Sequence, residues 1–189
     1  SVVVSRQGFA RFDQARLPAF SLEELWRHAM LTATCARRIA KEAGASQQVI
    51  DEAFTAALLH DVGVLVLVAN RPDDYAKVLE LMRDRHMPDW AAERDIFGAD
   101  HAHVGAYLLG IWGLGDGIVE AVAFHQHPGD YQASGFHAVT AVHVGNALAE
   151  TQANADAGTG DVLSLDQSYL ARENFLAFIP RWRELCAAA

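Results

Sequence analysis

The stretch Leu58-Leu59-His60-Asp61-Val62-Gly63 lies inside an otherwise apolar run from Ala56 to Ala69. Two adjacent ionisable side chains are costly to bury there unless something pairs with them. A metal ion is one such partner, and a hydrogen-bond network is another. The residues that follow, Val64-Leu65-Val66-Leu67-Val68, read as a strand by propensity. No second strand candidate exists to pair with them, and a lone strand is not stable. The run is therefore assigned to a buried helix, and the chain to the all-α class.

Working outward, Ser46 opens a helix that carries Ile50, Ala53, Phe54, Ala57 and Leu58 inward and delivers His60 and Asp61 near its end. Upstream, Ser21-Leu22-Glu23-Glu24 fits a capping box. Leu22, Leu25, Trp26, Ala29, Ala33, Ala36 and Ile39 follow at helical spacing, and Gly44 marks the stop. His28 lies near the edge of that apolar stripe. Val2 to Ala15 predicts a short helix with Phe9 and Phe12 on one face, ended by Pro18.

Downstream, Pro72 starts a helix to about Arg85, and Pro88 to Phe97 forms another ending at Gly98. Asp100 is a natural N-cap for His101 to Trp112, with Gly113 as the stop. Asp116 is expected to cap Gly117 to about His127, where Pro128 prevents continuation. Phe136 to Thr151 gives another helix, Asn154 to Asp161 a polar loop, and Asp166 to Leu185 a closing helix broken near Pro180. The expectation is a bundle of about seven helices forming one domain over residues 1–189, its last part a helical extension over 161–189.

Composition limits the function. The net charge of −9 leaves no basic block to neutralise phosphates, which argues against nucleic-acid partners, and no polybasic patch for acidic lipid. The apolar run from Val62 to Ala69 is too short to span a bilayer. Cys35 and Cys186 read as two reduced thiols. With no signal peptide visible, a cytoplasmic protein is expected. The start at Ser1 rather than Met fits a fragment or a processed piece.

Nine histidines occur, and His28, His60, His101, His103, His125, His127 and His143 fall on predicted helices or their ends. Imidazole is the commonest metal ligand, and a helical bundle can hold such a site in its core. His28, His60, Asp61, His101 and His125 would supply such a set from four helices. Glu93 and Asp95, beside Arg94, read first as a solvated helix face, with a role supporting the site or facing phosphate as the alternative. Trp90, Trp112 and Trp182 read as core or partner contacts. Gly113 to Gly117 fits a helix–helix turn better than a nucleotide cradle.

The ordered series His28, then His60-Asp61-Val62-Gly63, then His101-Ala102-His103-Val104-Gly105, then Phe124-His125-Gln126-His127-Pro128 resembles the HD superfamily. Leu25 to His28, Ala57 to Gly63 and Phe97 to Leu109 look more narrowly like the HDOD family, the HD-related output domain of bacterial signalling proteins. The resemblance covers roughly residues 20–150. It implies a compact helical bundle, a regulatory role beside receiver or kinase modules, and an N-terminal helical lobe that is expected to be missing here. A missing lobe would leave an apolar surface for homodimerisation or docking.

In active HD phosphohydrolases the resemblance implies a His, a His-Asp pair and a later Asp binding a divalent metal such as Mn, Fe or Mg. Here these are His28, His60, Asp61 and, in place of the Asp, Asn146. The HD-GYP phosphodiesterase branch adds histidines matched by His101 and His125, a second adjacent histidine replaced by Gln126, and a lysine replaced by Val64. His60 and Asp61 are the catalytic candidates if the chain is a phosphohydrolase or cyclic-dinucleotide phosphodiesterase. The missing Asp, His and Lys favour a regulatory module with a degenerate, non-catalytic centre.

Overall fold

Ser21 accepts a hydrogen bond from the Glu24 amide, and the first described helix begins there. The computed structural model describes residues 20–156 and 164–187. They form ten α-helices and two 3₁₀ turns, with no strand among the described residues. In chain order these are α1 (Leu22–Glu42), α2 (Gln47–Leu59), α3 (Val62–Asn70), α4 (Pro72–Arg85), α5 (Asp89–Phe97) and α6 (His101–Ile111). Then come α7 (Asp116–Phe124), α8 (Ala138–Asp156), α9 (Gln167–Arg172) and α10 (Ile179–Ala187). The helix expected over Val2 to Ala15 lies outside the described residues.

The all-α expectation holds, and Val62–Asn70 is helical. By length and composition Gln47–Asn70 is apolar enough to cross a bilayer. Here it is two helices broken at His60-Asp61, and Ile50, Ala53, Ala56, Ala57, Val64, Leu67 and Val68 are buried. His60 ends α2 and Asp61 opens α3.

That break joins two cores. The larger gathers Ala33, Ile39, Ala53, Leu109, Val122 and Val142 with Tyr169, Leu170 and Trp182. The smaller gathers Val64, Leu67, Val68, Tyr75, Val78 and Ala92. α2 feeds the first and α3 the second, so the His-Asp pair is held from both sides.

Two seams bring backbones together at glycines, with no room for a Cβ at Gly63 and a tight fit for one at Gly145. A Cβ on Gly63 would fall 2.0 Å from the His101 carbonyl oxygen and 2.8 Å from the Gly105 nitrogen. A Cβ on Gly145 would fall 3.1 Å from the Thr32 carbonyl oxygen. The first seam presses α3 onto α6 and places Asp61 beside His101. The second presses α1 onto α8 and places His28 beside Asn146.

Several boundaries differ from expectation. The described residues alone hold ten helices rather than about seven, partly because the closing helix is two. It breaks at Glu173 to Phe175, where Asn174 takes a left-handed φ of 63°. Pro180 instead sits in the first turn of α10, where its missing N–H costs nothing. Asp116 is the first residue of α7; Gly115 is its N-cap and no side chain caps it. α7 stops at Phe124, and Pro128 starts a 3₁₀ turn. α8 runs on through Asp156, so Asn154 to Asp156 is helix rather than loop. Asp100, Ser46 and Pro72 start their helices as expected.

Candidate metal centre

Asp61 is the middle of the site. Its Oδ2 lies 3.2 Å from His60 Nε2 and 3.9 Å from His28 Nε2, and its Oδ1 lies 3.5 Å from His101 Nε2. His101 Nε2 is 3.4 Å from His125 Nε2. The ligand atoms form two groups, His28-His60-Asp61 and Asp61-His101-His125, each within 4.8 Å. Asp61 belongs to both. The structure thus brings together all five candidates, His28, His60, Asp61, His101 and His125.

The hydrogen bonds behind the rings fix which nitrogen faces the centre. His60 Nδ1 donates to the Ala57 carbonyl at 2.7 Å, and His125 Nδ1 to the Val122 carbonyl at 2.8 Å. His101 Nδ1 donates to Glu93 Oε2 at 2.7 Å. In the neutral rings each Nε2 is then a lone pair pointing inward. Three lone pairs and a carboxylate converge in a buried space, and such an array calls for a cation. His60 Nε2 is close to Asp61 yet misaligned for a hydrogen bond, and it has no other partner. The donor set therefore fits one or two divalent ions, with the ring tautomers set by the groups behind them.

Without metal a proton serves as the cation. Burial would lower the His101 pKa, but the Glu93 hydrogen bond and the charges of Asp89, Glu93 and Asp61 push it up to about 10. Burial likewise opposes charge on His60, and Asp61 with the Ala57 carbonyl raises it. His125 is held well below the usual range by burial and by His60 and His101. Burial works against ionisation of Asp61, yet His60, His101 and His28 hold its carboxyl well below the usual carboxylate range. Burial lowers His28.

For Glu93 the first reading, a solvated helix face, is overturned, and the alternative, a role supporting the site, is what the structure shows. It is fully buried rather than solvated. Its Oε2 accepts from both the backbone amide and the Nδ1 of His101, each at 2.7 Å, and its Oε1 accepts from Tyr75 at 3.3 Å. A signal existed: Glu93 shares a helix face with Ile96 and Phe97. Arg94 and Asp95 are the exposed neighbours.

The remaining histidines stand apart. His103 is exposed and bonds to Asp100, which also takes Arg94 at 2.7 Å. His143 Nδ1 donates to the His125 carbonyl, and its Nε2 accepts from the Asp166 amide. His127 meets Trp90 edge-on, with ring centroids 4.5 Å apart. Asn146 does face the centre, its Oδ1 2.7 Å from His28 Nε2. Trp182 is buried, while Trp112 is exposed. Cys35 and Cys186 are both free and buried.

An all-α bundle with one carboxylate shared between two His-His-Asp groups that could hold a metal ion is a helical centre of HD type. The chain matches the HDOD domain family over residues 2–128, and it belongs to that family. Among solved structures it is similar to a protein from Shewanella amazonensis SB2B provisionally named a phosphohydrolase, at 24% identity and a TM-score of 0.66 over 90% of this chain and 61% of that one. It is also similar to an HDOD domain protein from Geobacter sulfurreducens, at 20% identity and a TM-score of 0.64 over 89% of this chain and 63% of that one. The MmoQ response regulator from Methylococcus capsulatus has a TM-score of 0.59 at 22% identity over 93% of this chain and 66% of that one. A curated relative, an uncharacterised protein of Treponema pallidum, is 28% identical over 105 residues, 56% of this chain but 20% of that protein. The chain thus spans about a fifth of that relative's length and under two thirds of these structures.

Proposed function

We propose that this chain is a regulatory output module of a bacterial signalling protein, with a divalent metal held at the His-Asp cluster as a structural centre without turnover. The observation that carries the metal is Asp61 shared between two groups of two histidines each, with the Nε2 atoms of His60, His101 and His125 buried and facing inward. Asn146, Gln126 and Val64, where active HD enzymes have Asp, His and Lys, favour regulation over catalysis. Membership of the HDOD family and likeness to a response regulator support the signalling role. When bound, Mn, Fe or Mg would supply the charge that closes the cluster.

A receiver or kinase module, or a second copy of the chain, is the partner this reading implies. Leu22, Trp26 and Met30 stand exposed one turn apart on α1, and such apolar stripes favour protein contacts. A clean monomer on size exclusion at high concentration would count against self-association. The acidic charge favours neither nucleic acid nor membrane, and a cytoplasmic location goes with the role.

The second reading is a metal-dependent phosphohydrolase or cyclic-dinucleotide phosphodiesterase. A carboxylate bridging two ligand groups favours it, because two-metal hydrolysis uses that arrangement. Metal analysis of the purified protein, followed by His60→Ala, separates the two. Stoichiometric metal with only a lower melting temperature in the variant supports the regulatory centre. Hydrolysis of a cyclic dinucleotide or nucleotide that His60→Ala abolishes overturns it.

A further inference from the structure

Asn146 and Glu150 lie one turn apart on α8. Asn146 Nδ2 donates to Glu150 Oε1 at 2.9 Å, and Glu150 Oε2 accepts from Ser164 Oγ at 2.6 Å. An ionised carboxylate only accepts, so the amide nitrogen must face Glu150. The amide oxygen is thereby aimed at His28 Nε2, 2.7 Å away. On the far side His60 Nε2 is buried and unpartnered, and Asp61 Oδ2 lies within 3.9 Å of both histidines. Burial raises the Glu150 carboxyl above its ordinary value, the Ser164 hydrogen bond works against that, and the charges of Asp61 and His60 also reach it.

We propose that Asn146 and Glu150 divide between them the work of one carboxylate. Asn146 Oδ1 is a ligand of the divalent cation held by His28, His60 and Asp61. Glu150 fixes the amide with its oxygen inward and supplies the negative charge from one turn away. Carbonyl oxygens of Asn are ordinary ligands of hard cations, and affinity follows the charge around the site. The proposal rests on the metal-holding reading above and adds two residues to it.

The test uses the full chain, stripped with chelator and titrated with Mn2+ by calorimetry, with thermal shift as a second readout. The binding phase that His28→Ala removes identifies this site. Glu150→Gln keeps an acceptor for the amide but removes the charge, and is expected to weaken that phase about tenfold or more. Asn146→Asp is expected to tighten it, because a cation then relieves two neighbouring carboxylates. The double variant Asn146→Asp/Glu150→Gln moves the charge onto the ligand and is expected to recover most of the wild-type affinity. Unchanged binding in Glu150→Gln overturns the proposal, as does a double variant no tighter than Glu150→Gln. Asn146→Asp decides independently if Glu150→Gln fails to fold: no tightening overturns the proposal. A wild-type chain that takes up no Mn2+ overturns the metal reading and this one together, whereas a wild-type chain that binds and is indifferent to Glu150 overturns this one alone.

Discussion

The two halves of the centre are built differently around the same carboxylate. His101 and His125 are wholly buried, and the group behind each is fixed: Glu93 for one, the Val122 carbonyl for the other. His28 is partly exposed, with a side-chain exposure of 22%, and its inward nitrogen meets an amide rather than a carboxylate. The buried half is pre-organised by packing and by a charged hydrogen bond. The open half depends on a swapped residue and a carboxylate one turn away. The lesson is that an amide in place of a carboxylate touches only one half of the cluster, because the half that packing holds does not depend on Asn146.

The comparison can be broken most severely at the seam. Gly63→Ala would drive a methyl into the His101 backbone, displacing both halves at once. A cost of about 3 kcal/mol or more is expected, read by denaturant unfolding. Glu93→Gln strikes the buried half alone. It removes the charge that holds His101 and leaves one acceptor oxygen where two served three donors, the His101 amide, His101 Nδ1 and the Tyr75 hydroxyl. Metal affinity should fall roughly 10–100-fold, with the phase sensitive to His28→Ala spared. Equal damage to both phases would contradict the division into halves.

The pH dependence sharpens it further. Metal must displace the proton that His101 holds up to about pH 10. Affinity of the buried half should therefore climb about tenfold per pH unit for each proton displaced, from pH 6 to 9. A flat titration would mean that His101 is not a ligand. The metal-free protein should show the opposite trend in stability. His101 is raised on folding, so its contribution is fully present below the unfolded pKa of about 6.5 and is lost as pH rises toward the folded value. The smallest effect is expected at the open half, where His28→Ala should remove the weaker binding phase and change the metal-free melting temperature little.

Much of this was legible in the sequence. Ser21, Ser46 and Asp100 announced helix starts because an N-cap acts within three residues of itself. Local chemistry of that kind does not need the fold. The break of the last helix was misplaced because Pro180 is harmless in a first turn, whereas the left-handed Asn174 carries no comparable signal. The gathering of His28, His60, Asp61, His101 and His125 was readable as an ordered series.

Glu93 was only half readable: a role supporting the site stood as the alternative to a solvated face. Its neighbours Arg94 and Asp95 are exposed, and a charged residue among them looks like surface. The sequence by itself determined the all-α class, most helix starts and the candidate ligands, since these depend on periodicity, caps and residue type. Only the tertiary structure decided which nitrogen of each ring faces inward, that Asp61 is shared, and that Glu93 and Glu150 stand behind the ligands. Those facts depend on contacts between helices far apart in the chain, and the glycines at 63 and 145 are what let those helices close.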